Sequence, residues 1–268
     1  RKAKPREFER NRYTRGVGRM RPAINSLKKK INLYGNTEKH IIRNQKRGKL
    51  DKRNLHRIPL DRKDLFKIDM IREDKPLDVC LLVDESGSMG SCMEEARNTC
   101  IAVKEALVEN DKLDLWVFGH TADGESGWHS DEGSTNMTTY WSPSMKDRPM
   151  AMGSMEAKYE NRDGNAILAA AEKVKMESKE PTSNKLMIIF SDGSPAAMDY
   201  GGHNGRKHVK KCVKFAESQG WSIIQVGFGD DYRLEKVQGD MFDNHIFIKD
   251  TSQIGTKVSK IIRKVLRV

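Results

Sequence analysis

The stretch Asp84-Glu85-Ser86-Gly87-Ser88-Met89-Gly90 sets three short oxygen-bearing side chains, Asp84, Ser86 and Ser88, at alternate positions. A tight turn with that spacing aims all three at one point. One carboxylate and two neutral hydroxyls suit a hard divalent cation. Mg2+ fits best, because it takes oxygen ligands in near-octahedral geometry, and Mn2+ or Ca2+ would accept the same donors. Gly87 and Gly90 let the backbone turn sharply. A plainer reading stands beside this one: Asp and Ser between a strand and a helix also serve as helix caps. A second acid, Asp192 in Ser191-Asp192-Gly193, follows another apolar run and is a further candidate for the same ion. No nucleophile–base pair and no GxxxxGK[ST] phosphate loop is present, so the chain is expected to bind rather than to catalyse by itself.

These residues need a frame that brings 84–88 and 192 together. Leu77–Val83, Leu113–Phe118, Lys185–Phe190, Ser222–Phe228 and Asn244–Ile248 are apolar runs typical of strands buried on both faces. Helical patterns separate them at 91–109, 164–177, 204–219 and 232–238, and a basic amphipathic helix over 253–266 closes the chain. This alternation predicts an α/β fold, a doubly wound, mostly parallel sheet with helices on both faces. Ligands of such sheets sit at the carboxyl ends of the strands near the switch in strand order. Asp84 and Asp192 both fall at that edge.

Between the second and third runs, residues 120–160 are rich in Gly, Ser and Met, including Met137, Met145, Met150, Met152 and Met155. A short strand is expected near 138–141. The methionines suit either an adaptable protein-binding surface or a cover over the sheet edge. His120 and His129 flank the segment and read as polar surface residues.

Ahead of this body lies a basic arm. Residues 1–76 hold 25 Lys/Arg against 9 Asp/Glu, a balance of +16, while the remainder holds 24 against 29, or −5, giving +11 overall. The shift marks an expected boundary between an arm, 1–76, and a domain, 77–268. Residues 1–20 read as loosely ordered, 22–47 as a helix stopped by Gly48, and Leu65–Ile68 as an edge strand or hairpin arm. An arm of this charge could neutralise several phosphates, which would make nucleic acid a partner through 1–76, with Phe8, Tyr13 and Tyr34 for stacking. It could equally dock on an acidic protein.

The opening on Arg1 suggests a piece of something longer. Cys80, Cys92, Cys100 and Cys212 form no CxxC pair and read as reduced thiols, which points to the cytoplasm. No apolar run approaches the roughly 18–20 residues of a membrane span, so no membrane partner is expected.

The DxSxS loop after an apolar strand resembles the metal-ion-dependent adhesion site (MIDAS) of von Willebrand factor A domains, and Ser191-Asp192-Gly193 is similar to that family's second acidic loop. Glu160-Asn161-Arg162-Asp163-Gly164-Asn165-Ala166 resembles the E-N-x-D-G-x-A stretch of CobT-type cobaltochelatase subunits, as does the run from Gly48-Lys49-Leu50-Asp51 through Asn54-Leu55. The resemblance spans roughly residues 24–268. It implies direct ligation by Ser86 and Ser88, and contact through water or outer-sphere bonds by Asp84 and Asp192. It adds Asp163, which stands where the family usually has Thr. It further implies an open metal position for an Asp or Glu of a partner protein, with an AAA+ ATPase of the MoxR or CobS kind as that partner. A role as a cobaltochelatase-like subunit in metal insertion into a tetrapyrrole is the alternative.

Overall fold

The computed structural model describes residues 6–31, 38–54, 64–72, 75–122, 134–145, 149–198, 200–228, 232–249 and 253–266. In chain order the elements are α1 (Glu7–Ile31), β1 (Glu38–Gln45), β2 (Lys49–Leu50), β3 (Phe66–Arg72), β4 (Leu77–Asp84), α2 (Met93–Leu107), β5 (Leu113–Ala122), β6 (Thr135–Trp141), α3 (Asp163–Glu177), β7 (Asn184–Ser191), α4 (Gly202–Ser218), β8 (Trp221–Phe228), α5 (Tyr232–Met241), β9 (His245–Ile248) and α6 (Ile254–Leu266).

Six strands form the main sheet in the order β6-β5-β4-β7-β8-β9. All neighbours run parallel except the β5–β6 pair, which is antiparallel. The chain moves outward from β4 to β5 and β6, then returns to the other side of β4 with β7. The switch in strand order therefore lies at β4, whose last residue is Asp84.

Side-chain alternation divides the apolar residues between two layers. Val79, Leu81, Val83, Leu115, Val117, Leu186 and Ile188 pack with α1, α2 and α6. Cys80, Leu82, Trp116, Phe118, Met187 and Ile189 pack with α3, α4 and α5. Every residue of β4 is buried, which explains its nearly continuous apolar run; the buried Asp78 accepts the hydroxyls of Ser178 and Ser183. The doubly wound α/β architecture expected from the sequence is the one observed. All four cysteines are free thiols and buried, and no described helix is long and apolar enough to cross a membrane.

The arm departs from expectation. Its helix begins at Glu7 and ends at Ile31 rather than covering 22–47, and 38–45 is strand. Tyr13, Ile24, Leu27 and Ile31 form one buried stripe at helical spacing, three of them in the same cluster as the main sheet. That burial outweighs the poor helix propensity of Gly16 and Gly18 and the presence of Pro22 inside the helix. Gly16 is there for contact: a Cβ at this position would lie 2.8 Å from Asn98 Oδ1 and 2.9 Å from Ile101 Cδ1 on α2.

The other arm strands form a small antiparallel sheet in the order β1-β3-β2. β3, expected at an edge, is its central strand, with Ile42 opposite Ile68 and Leu50 opposite Phe66. Gly48 stops no helix. It has φ +124° in the β1–β2 turn, and a Cβ there would meet the Lys67 carbonyl at 2.5 Å.

Of the three candidate stacking residues of the arm, two lie among the described residues. Tyr13 is buried and its hydroxyl donates to Glu105 Oε1 at 2.5 Å. Phe8 is exposed with Arg12 over its ring, and Tyr34 lies outside the described residues.

Candidate metal centre

Asp84 closes β4 and is fully buried. Its Oδ1 accepts the Ser86 backbone N–H at 2.8 Å, which bends the chain back immediately after the strand. Its Oδ2 accepts Asn161 Nδ2 at 2.9 Å and Ser191 Oγ at 3.1 Å. The loop then enters a short 3-10 turn, Gly87–Ser91, before α2. Neither Ser86 at the head of that turn nor Cys92 before α2 makes a side-chain cap bond, so capping does not account for the serines.

The serines converge instead. Ser86 Oγ and Ser88 Oγ are 3.1 Å apart, and Ser88 Oγ donates to Asp192 Oδ1 at 2.8 Å. Asp192 follows the last residue of β7, so strands β4 and β7 deliver their two acids to one edge of the sheet. Asp163 is the first residue of α3, and Asn161 Nδ2 reaches its Oδ2 at 3.4 Å. All five residues singled out in the sequence thus belong to one connected cluster. Asp84, Ser86 and Asp163 are buried at its floor; Ser88 is exposed and Asp192 half-buried on the open side.

Three residues join the cluster that sequence reasoning gave no role. Asn161 holds Asp84 and Asp163 with its amide nitrogen and accepts the Ala196 N–H with its oxygen at 2.7 Å. It clamps three loops together. Ser191 anchors Asp84. His120, read as a polar surface residue, is completely buried, with Nε2 3.5 Å from Asp163 Oδ1. β5 runs past Gly119 to Ala122 and sets His120 in register with Asp84. The signals were weak but present: Asn161 and Ser191 lie in the two quoted acidic motifs, and His120 lies two residues after an apolar run. His129 lies outside the described residues.

The electrostatics follow from enclosing several acids. Burial first, then the charges of Asp84 and Asp192, hold the Asp163 carboxyl well above the usual carboxylate range. Asp192 is raised by burial and, more weakly, by Asp84, against the lowering effect of the Ser88 hydrogen bond. Burial pushes the His120 imidazole down, opposed by the Asp84 charge. A cation among the three aspartates would relieve their repulsion, and among the described residues Asp163 Oδ1 has no hydrogen-bond partner. The donors are all hard oxygens, so they fit Mg2+ chemically. Among the described residues, no trio of His, Cys, Asp or Glu is arranged to hold a metal by itself. An ion here would draw on the serine hydroxyls and on water.

Beneath the loop, Glu85 is buried and its Oε1 accepts the Tyr140 hydroxyl at 2.6 Å. Burial pushes its carboxyl up to about 7 from an ordinary 4.5, against the lowering effect of Tyr140. The neutral form is therefore the one the fold prefers. Its stabilising share is full below the unfolded value, near 4.5, and is lost as pH rises through about 7. The difference is on the order of 3 kcal/mol. Glu85→Gln is expected to be more stable than the native chain by ~1–3 kcal/mol at pH 8.5 and equal to it near pH 5, read from denaturant melts in EDTA. A constant difference across that range would refute the assignment.

Met150, Met152 and Met155 of the 120–160 segment turn inward. Met152 and Met155 are fully buried and Met150 packs on the same core, while β6 forms the sheet edge.

The sequence pattern of the von Willebrand factor type A domain matches residues 78–260. The chain belongs to that family. A curated relative, the uncharacterized protein YojO of Bacillus subtilis (strain 168), is 28% identical over 195 residues, covering 69% of this chain and 29% of YojO. The chain thus spans under a third of that relative's length. Among solved structures, the open form of the pilus adhesin SpaC from Lactobacillus rhamnosus GG superposes with a TM-score of 0.53 at 14% identity, over 73% of this chain and 30% of SpaC. The SpRpn10 VWA domain gives a TM-score of 0.48 at 13% identity, over 70% of this chain and 94% of that domain. The SpaC likeness agrees with the A-domain fold. In this A domain the acidic cluster lies at the carboxyl edge of the sheet, beside the switch at β4.

Proposed function

We propose that this A domain is a protein-interaction module whose grip depends on a divalent metal, Mg2+ by preference, at the Asp84–Ser88 loop. The supporting observation is the convergence of Ser86, Ser88 and Asp192 with two fully buried acids on the solvent-facing edge of the sheet. Ser86 and Ser88 would offer hydroxyls directly. Asp84, Asp163 and Asp192 would balance the charge, in part through water. A bound Mg2+ would supply an electrophilic position for a carboxylate of the partner. The chain's own part is to hold the donors in place: Asn161 and Ser191 orient Asp84, and the exposed Ser88 side leaves an approach open. The similarity of the Asp163 stretch to CobT-type subunits supports an AAA+ ATPase of the MoxR or CobS kind as the partner.

Asp163 adds a third acid where a hydroxyl would serve, so the site binds the cation more tightly and pulls an incoming carboxylate less strongly. Calorimetry tests both parts. The native chain takes up Mg2+, whereas Asp163→Thr takes it up more weakly but holds an acidic peptide more tightly in the presence of saturating Mg2+. No Mg2+ uptake by the native chain refutes the metal centre. Unchanged affinities in the variant refute the role given to Asp163.

A further inference from the structure

His120 has the environment of a working residue rather than of core filling. It sits on β5 directly across from Asp84 of β4 and is 0% exposed. Among the described residues, neither of its ring nitrogens has a hydrogen-bond partner, and neither does Asp163 Oδ1. Burying a polar atom without a partner is costly, so three such atoms on two adjacent residues need a reason. His120 Nε2 stands 3.5 Å from Asp163 Oδ1, about half an ångström beyond an ordinary hydrogen bond. The other Asp163 oxygen already faces Asn161 Nδ2 at 3.4 Å. The buried carboxylate is therefore flanked by two nitrogen groups, both at long range.

We propose that His120 is a positioning residue of the metal centre. When a cation occupies the cluster, the His120 Nε2–H donates to Asp163 Oδ1, while Asn161 holds Oδ2, and together they fix the plane of the carboxylate. Partners of this kind orient metal-binding carboxylates and commonly carry 10–100-fold in affinity. The long contact is the open form of that bond. The inference rests on the metal-binding reading above.

The test uses the whole chain with Mg2+ in a calorimeter and melting curves in EDTA. His120→Phe weakens Mg2+ binding about 10–100-fold, while its melting temperature in EDTA holds or rises, because an unpartnered imidazole has been removed from the core. His120→Gln, which keeps an N–H near the Nε2 position, recovers most of the affinity. His120→Asn, too short to reach Asp163, behaves like the Phe variant without adding an apolar ring. Native affinity in either the Phe or the Asn variant overturns the proposal. So does an affinity loss that merely follows a loss of stability in EDTA. Pulsed EPR on the Mn2+-loaded native chain gives a separate check, since a directly bound nitrogen would make His120 a ligand and also overturn the positioning role. If the native chain binds neither Mg2+ nor Mn2+, the metal centre itself fails. That result differs from one in which the native chain and the His120 variants bind alike.

Discussion

Asp84→Ala is expected to abolish the response of this protein to Mg2+. In the native chain a saturating ion, at about 100 times its dissociation constant, is expected to add roughly 2.7 kcal/mol of stability. For a domain of this size that raises the melting temperature by about 5–10 °C. Asp84 is the hub of the cluster, holding the Ser86 N–H, the Asn161 amide and the Ser191 hydroxyl. Without it the serine loop loses its anchor and the ion loses a compensating charge, so affinity falls by at least about 100-fold, the upper end of what outer-sphere partners carry. The effect on metal-free stability is a contest. Three donors lose their acceptor, at ~1–3 kcal/mol each where water cannot replace it. Against this, Asp163 and Asp192 lose a repelling neighbour. Donor loss should win by ~1–3 kcal/mol, because Asp84 lies at the buried floor. A Mg2+-induced shift that survives in Asp84→Ala, seen by scanning calorimetry, would place the ion elsewhere.

Which parts of this arrangement were legible beforehand depends on what each residue responds to. The runs behind β4, β5 and β7 are buried on both faces, so hydropathy alone reveals them. Their order puts Asp84 and Asp192 on one edge whatever the loops do. Asp163 was reachable only through resemblance, because its neighbourhood reads locally as an ordinary helix start. His120 was missed for a specific reason: the apolar run expected to be the strand ends at Phe118, before Gly119. In the fold Gly119 marks a close approach instead, since a Cβ there would lie 2.3 Å from Glu85 Oε2. The strand continues past it and carries His120 inward.

The arm shows the opposite limit. Gly16, Gly18 and Pro22 argue locally against a helix, and nothing within residues 1–31 announces that α2 will supply the missing apolar partner. Leu27→Ala with Ile31→Ala is therefore expected to destabilise the entire A domain. Both side chains are buried, at 2% and 0% exposure, in the cluster shared with β4 and α2. Each truncation of this kind costs ~2–5 kcal/mol. The two lie one turn apart, so their costs are not strictly additive. Even ~4–8 kcal/mol is a large share of the 5–15 kcal/mol that holds a typical domain together. The double variant should melt more than about 10 °C lower than the native chain, in a single transition that includes the sheet. Arg15→Ala, on the exposed side of α1, should change little. The ion pairs from α1 to the body, such as Arg19–Glu94 and Lys28–Glu109, involve exposed groups and cannot make up for the lost apolar contact. If the arm were a tethered appendage, the double variant would leave the main transition unmoved, and circular dichroism melts would show it. The expected collapse instead makes α1 a structural cover for α2.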